Sequence, residues 1–168
     1  MNTRSNTSAL IALAVALGCT SDLALAQTAV QGKSAPANVV NAAQGTASVR
    51  IGAQALRVVP EQALPKEALT RKAGAVSTQT FVMRESDNLV GVSLNDLMVV
   101  GPDLERMAAS VRTLGLPGIE VNIYPDIGLL LVRTQKFEQL QLVHDRLAGE
   151  FAQARFDVPV TYFPRKRQ

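Results

Sequence analysis

The chain is poor in cysteine, histidine and aromatic residues. Its 168 residues include one cysteine, one histidine, two tyrosines, five phenylalanines and no tryptophan. Cys19, the single cysteine, has no disulfide partner and cannot form a thiolate metal site, so stability must come from an ordinary apolar core. The few aromatic residues are not interleaved with a basic stripe, which argues against nucleic-acid binding.

Long apolar runs are also missing, because no segment after residue 27 reaches the roughly 18 apolar residues that a transmembrane helix needs. The first 26 residues have the features of an export signal. Arg4 gives a basic start, an apolar run covers 8–17, and Ala24 and Ala26 occupy the positions that a signal peptidase reads. We therefore predict that residues 1–26 are a signal peptide, that Gln27 is the mature N-terminus, and that the protein is exported to the periplasm.

An alternative processing site lies at the end of the apolar run. The sequence Ala16-Leu17-Gly18-Cys19 is similar to the box of bacterial lipoproteins, although its leucine stands one place later than usual. Lipidation at Cys19 would make the protein an outer-membrane lipoprotein, whereas the Ala-x-Ala site favours cleavage after Ala26. In a third interpretation, Cys19 is only a small apolar residue of a discarded signal.

Charge is nearly balanced along the chain, with 17 Lys and Arg against 14 Asp and Glu and a net charge of +3. Three of the positive charges, Arg165, Lys166 and Arg167, stand together near the C-terminus. This tail is expected either to contact anionic lipid or an acidic partner weakly, or to be a solvated chain end.

Composition divides the remaining chain into three parts. Residues 27–48 are rich in Ala, Gln, Asn, Gly and Ser and have one charge, which predicts a flexible low-complexity spacer. Residues 49–79 contain helix-start prolines and predict an irregular segment with short helices, and residues 49–53 can begin a strand. Strong apolar periodicity begins at residue 80, so 80–168 is predicted to be an α+β domain.

Within this domain the apolar spacing predicts a hairpin over 81–92 and then strand, helix, strand, strand, helix, strand from residue 97. The two helical stripes are Leu104, Met107, Ala108, Val111 and Leu114, followed by Phe137, Leu140, Val143, Leu147 and Phe151 in a helix over 135–154. This order predicts a ferredoxin-like βαββαβ sandwich, with both helices on one face of an antiparallel sheet and an extra N-terminal hairpin.

The other face of that sheet is a predicted binding surface. Residues 129–132 are apolar at every position, so the face away from the helices should also be apolar and be covered either by the segment before residue 95 or by a partner. We expect Tyr124, Leu130 and Val132 on this open face. The last strand, 156–163, is expected at a sheet edge because Pro159 cannot donate a ladder hydrogen bond. Its face with Phe156, Val158, Val160 and Tyr162 gives the second predicted contact.

The segment 118–149 resembles the periplasmic N-domains of secretins and related ring-building modules. It reads Gly-Ile-Glu-Val-Asn-Ile-Tyr-Pro-Asp-Ile-Gly-Leu-Leu-Leu-Val-Arg, followed by an amphipathic helix through His144 and Leu147. Strand, Pro or Asp turn, apolar strand and amphipathic helix follow one another in such domains, although Gly128 stands where they often have asparagine. The resemblance implies an accessory or ring-lining component of an envelope machine.

Residues capable of catalysis are few. His144 lies at the border of a helical stripe without a nucleophile to activate, and Asp96, Asp103 and Glu105 are the closest approach to a carboxylate pair. Metal ligands do not cluster at metal spacing, so we predict neither metal nor cofactor. The sequence therefore favours a non-enzymatic module that binds a protein partner or itself. The alternatives are a cell-wall enzyme using these acids and a small-ligand protein using a cleft beside Tyr124.

Overall fold

A computed structural model describes residues 34–64 and 79–163. Cys19, Ala24, Ala26 and Gln27 lie outside these ranges, as do residues 1–33 generally and the basic residues 165–167. Within the described ranges the fold is mixed α+β, with three α-helices and two antiparallel sheets. No helix in the described part of the chain combines the length and apolar character needed to cross a membrane.

One helix precedes five successive strands, and two further helices then flank the hairpin that follows them. In chain order the elements are α1 (Ala37–Ala43), β1 (Ser48–Ile51), β2 (Gln54–Val58), β3 (Thr80–Arg84), β4 (Leu89–Ser93), β5 (Asp96–Val100), α2 (Leu104–Arg112), β6 (Glu120–Tyr124), β7 (Leu129–Arg133), α3 (Gln139–Glu150), β8 (Arg155–Asp157) and β9 (Val160–Tyr162). Single 3₁₀ turns cover Glu61–Ala63 and Pro125–Ile127.

The strands form one five-stranded and one four-stranded sheet. Their orders are β1-β2-β3-β4-β9 and β6-β7-β5-β8, and all neighbours are antiparallel. The chain passes from one sheet to the other twice, between β4 and β5 and again between β8 and β9. At the first passage Asn95 adopts a left-handed φ of 60°, which asparagine tolerates better than most residues. Its carbonyl accepts a 3.0 Å hydrogen bond from the N–H of Thr134.

The main core lies between helices α2 and α3 and the two sheets. The members of the two predicted stripes are all buried or packed against this core. The helix predicted over 135–154 is shorter than expected, because α3 covers Gln139–Glu150 and Phe137 and Phe151 lie just outside it. Asp103 caps the start of α2 by accepting a hydrogen bond from the N–H of Arg106 at 3.1 Å. The hairpin β3–β4 is also confirmed, with its four-residue turn at 85–88.

A second core covers the opposite face of the five-stranded sheet. It contains Val39, Ala43, Val59, Leu64, Phe81 and Met83, contributed by α1, the 3₁₀ turn and β3. The prediction of a spacer over 27–48 is therefore corrected for 37–43, which form α1. Val39 and Ala43, four residues apart, share one helical face and bury it against the sheet. In the segment 49–79, the strand expected from 49–53 is confirmed as β1. The irregular structure expected after it is corrected up to residue 58, because 48–58 form the hairpin β1–β2. Residues 65–78 lie outside the described ranges.

The last strand differs from its prediction. Residues 156–163 do not form one edge strand, because β8 pairs with β5 and β9 pairs with β4 in the other sheet. Pro159 lies at the break, where it has no N–H to continue a ladder. The four residues predicted to share one face are thus divided between two sheets and the link that joins them.

Candidate surface for a protein partner

Leu130 and Val132 do not lie on an open sheet face, as the sequence analysis predicted. Both are fully buried and belong to the core that β7 forms with α2 and α3. Side chains of a strand alternate between its two faces, so Leu129 and Leu131 point away from the helices. Because all of 129–132 are apolar, the composition of this stretch alone does not distinguish its buried face from its exposed face.

The residues that alternate with the buried ones form a second surface, which we call the outer face. The strand register places in it Asp96, Met98 and Val100 of β5, Glu120, Asn122 and Tyr124 of β6, Leu129, Leu131 and Arg133 of β7, and Arg155 and Asp157 of β8. Residues directly opposite each other in a register have neighbouring side chains on the same face. Of the six predicted binding residues, Tyr124 alone belongs to this face.

The outer face has an apolar half. Val100, Leu129 and Tyr124 stand side by side in the register, and Val100 and Tyr124 remain 46% and 45% exposed. Ile127, in the turn that follows β6, is 68% exposed. Among the described residues, none of these side chains is packed into either core. This half of the sheet therefore presents contiguous apolar surface to solvent.

The other half of the outer face ends in an ion pair. Asp96 accepts two hydrogen bonds from the Arg133 guanidinium, at 2.7 Å and 2.9 Å, and is itself only 4% exposed. These hydrogen bonds raise the pKa of Arg133, and the nearby Glu120 carboxylate raises it further. The ion pair gives the nearly buried carboxylate of Asp96 its hydrogen-bond donors. Asp96, which was considered as a catalytic acid, therefore has a structural partner.

The remaining predicted contacts lie away from the outer face. Val158 is buried, and its N–H donates to the side-chain oxygen of Gln54 at 3.0 Å. Val160 and Tyr162 belong to β9, at the edge of the five-stranded sheet. The Arg84 guanidinium lies over the Tyr162 ring, 4.7 Å from its centroid. The structure therefore does not bring the predicted face residues and the predicted edge residues together.

The acidic residues considered for catalysis are separated by the length of β5. Asp96 begins this strand and Asp103 follows its end, so about 14 Å of extended backbone lies between Asp96 and the last residue of β5 alone. Glycosidase carboxylates lie about 5–10 Å apart. Because Asp103 and Glu105 begin α2, they also favour the helix through its dipole.

His144 is held between a carboxylate and an aromatic ring. Its Nδ1 lies 2.9 Å from Oδ1 of Asp145, and its ring meets Phe156 edge-on at 4.8 Å between centroids. Gln141 donates to the same Asp145 oxygen at 2.7 Å and accepts from the N–H of Arg50 at 2.7 Å. This chain of hydrogen bonds connects α3 to β1. Within the described ranges, no three His, Cys, Asp or Glu side chains are grouped to hold a metal.

A shallow depression lies on the side of the five-stranded sheet that α1 covers. Its volume is about 260 Å³, and it is lined by Val40, Gln44, Arg57, Met83, Glu85 and Asn88. Ligand sites usually begin at about 300 Å³. Arg57 donates to Glu85 at 2.7 Å and 3.1 Å, so the polar groups there already bind each other. Tyr124, beside which a ligand cleft was considered, does not line this depression.

Comparison with known proteins finds no match, whether against family models, curated proteins or solved structures.

Proposed function

We propose that this chain is an exported, non-enzymatic module that binds a protein partner within an envelope assembly of the secretion or pilus type. The observation that supports the proposal is the outer face, whose apolar half is uncovered by the described residues. Contiguous exposed apolar surface with a polar rim is typical of interaction sites. Arg133, Arg155 and Asp157 provide that rim.

The topology adds support. Numbered in chain order, the strands β5, β6, β7 and β8 occupy the sheet as 2-3-1-4, with α2 and α3 packed in the core on one side. We propose that this half of the molecule is ferredoxin-like, the class expected from the order of its elements. The segment that resembles secretin N-domains corresponds to β6, β7 and α3, which include most of the apolar outer face. A ring-building or accessory role is consistent with that placement.

The proposal is tested by cross-linking from the outer face in cells that naturally express the protein. A photoreactive amino acid replaces Leu131 in the full chain, and a matched control places it at Leu142, an apolar residue of α3 that is 55% exposed. We expect position 131 to form cross-links to one envelope component, identified by mass spectrometry, and position 142 to form none. Leu131→Asp should abolish the association and Leu142→Asp should retain it.

Two results would contradict the proposal. One is the same set of cross-links from both positions. The other is a Leu131→Asp variant that keeps the circular dichroism of the parent protein and also keeps its partner. Because residue 131 is half-buried on a solvent-facing surface, the variant is expected to fold.

A further inference from the structure

The two sheets end in four edge strands within the described residues, and three of them are protected. An edge strand presents unpaired N–H and C=O groups, which attract another strand unless they are blocked. In β1 the N–H of Arg50 donates to the side-chain oxygen of Gln141 on α3, at 2.7 Å. This edge of the five-stranded sheet therefore lies against a helix and has a side-chain partner.

Strands β8 and β9 are short and bounded by blocking groups. β8 has three residues, and the Gln54 side chain pairs with both backbone groups of Val158 just beyond it, at 3.0 Å and 3.4 Å. β9 also has three residues and stands between Pro159 and Pro164, neither of which can donate a hydrogen bond. Strands β8 and β9 therefore offer few backbone groups with which a further strand could pair.

Among the described residues, β6 has no side-chain partner at its edge, and the proline nearest to it, Pro125, follows its last residue. The strand has five residues, contains no proline, lysine or arginine, and pairs with β7 alone among the described strands. Its side chains alternate, with Val121 and Ile123 half-buried on the helix side and Glu120, Asn122 and Tyr124 exposed on the outer face. The free edge of β6 is thus continuous with the outer face and is a complete template for one more strand.

The side chains along β6 indicate what such a strand would contain. On the helix side it would lie beside Val121 and Ile123, which favours apolar residues at alternate positions. On the outer face it would lie beside Glu120, and Asp126 follows in the exposed turn. These two acids are the charged side chains of the segment 120–127, so basic residues are favoured opposite them. A second copy pairing through its own β6 would offer no basic residue opposite Glu120, because β6 contains no lysine or arginine.

We infer that β6 is a strand-addition site for an extended segment of a partner protein, in which apolar residues alternate with lysine or arginine. The inference rests on the proposed function and deepens it, because it names the edge that is used and the chemistry of the segment that binds there.

The test measures backbone hydrogen exchange of the full chain by NMR with two peptide probes. One is a blocked hexapeptide of alternating valine and lysine, and the other replaces lysine with glutamate, each titrated to about 1 mM. The valine–lysine peptide should slow exchange of β6 amides by roughly tenfold and leave β1 and β9 unchanged. Glu120→Lys should weaken its binding roughly tenfold, whereas Glu105→Lys, the same change on exposed α2 surface, should alter it by less than about twofold.

Equal protection by the valine–glutamate peptide would overturn the inference, as would protection at another edge or none at β6. Protection of β6 that grows with protein concentration without peptide would assign the site to a second copy and also overturn it. The cross-linking at Leu131 distinguishes a failure of this inference from a failure of the proposed function. If those cross-links persist while β6 stays unprotected, strand addition alone fails. If β6 is protected while the cross-links are absent, the outer face as the binding surface fails.

Discussion

The five-stranded sheet is covered on both faces at β3, whereas the four-stranded sheet buries one face and leaves the other in solvent. The difference is visible in single strands. In β3 the neighbours Phe81, Val82 and Met83 are all buried, because one core lies on each side. In β7 burial alternates, and Leu130 is buried while Leu131 is partly exposed. The pattern of burial, more than the composition of a strand, thus identifies which sheet has surface left for a partner.

Alanine substitutions at neighbouring positions test this difference most strongly. Phe81→Ala and Val82→Ala should both destabilise the protein, by about 3–5 and about 2–3 kcal/mol, because each leaves a cavity in one of the two cores. In β7, Leu130→Ala should cost about 2–5 kcal/mol and Leu131→Ala less than about 1 kcal/mol. Urea denaturation of the four variants measures these free energies of unfolding. Equal losses at Leu130 and Leu131 would show that the outer face is covered.

A smaller loss of stability is expected where β9 pairs with β4 in the five-stranded sheet. A methyl group at Gly91 would lie 2.6 Å from Cγ1 of Val160 and 2.8 Å from the carbonyl oxygen of Thr161. Gly91→Ala should therefore push β9 from β4 and cost about 1–3 kcal/mol. Hydrogen exchange should rise in β9 and remain unchanged in β5 and β7.

Gly149 in α3 provides the matched control for this substitution. Apart from its chain neighbours and the backbone of α3 itself, nothing lies within 4 Å of a methyl group added there. Gly149→Ala should stabilise the protein by about 0.5–1 kcal/mol, because alanine favours a helix. A loss of stability similar to that of Gly91→Ala would mean that the close approach at Gly91 is not the cause.

The smallest predicted change in stability concerns the hydroxyl group of Tyr162. Burial raises the pKa of Tyr162, with the positive charge of Arg84 acting against the rise. The folded state thus favours the neutral phenol, and this contribution to stability is present below the unfolded pKa of about 10 and is lost as pH rises above it. The hydroxyl has no hydrogen-bond partner among the described residues, so Tyr162→Phe should change stability by less than about 1 kcal/mol at neutral pH.

Thermal unfolding between about pH 8 and pH 11 measures this dependence. The parent protein should lose stability faster than Tyr162→Phe as the pH passes about 10. Parallel curves for the two proteins would show that the phenol of Tyr162 is equally free to ionise in the folded and unfolded states.

Sequence periodicity was sufficient for α2 and α3 and for the order of the elements from β5 to β8. The stripes of α2 and α3 are regular, and turns at Pro125 and Gly128 mark the hairpin β6–β7 clearly. It was insufficient for the face of β7, since residues 129–132 are apolar throughout. The mistaken choice of Leu130 and Val132 as contact residues follows from that single ambiguity. A shift of one residue along the strand moves each side chain to the opposite face of the sheet.

Two other features depended on contacts that are remote in sequence. α1 is short and weakly apolar, and Val39 finds its apolar partners in a sheet formed mainly by later residues. The division of the last strand at Pro159 depends on Gln54, whose side chain is hydrogen-bonded to Val158 across 104 positions. The open edge of β6 likewise became evident only when the protection of the other three edges was known.

Two segments that are far apart in the sequence meet on β4. Ser34 forms a bridge with Leu89, and the N–H of Phe163 donates to the carbonyl of Val90 at 3.1 Å. Both contacts use the side of β4 away from β3, so these two residues lie within about 10 Å of each other. Strand β4 thus fastens both segments at once, and opening of this one strand would release them together.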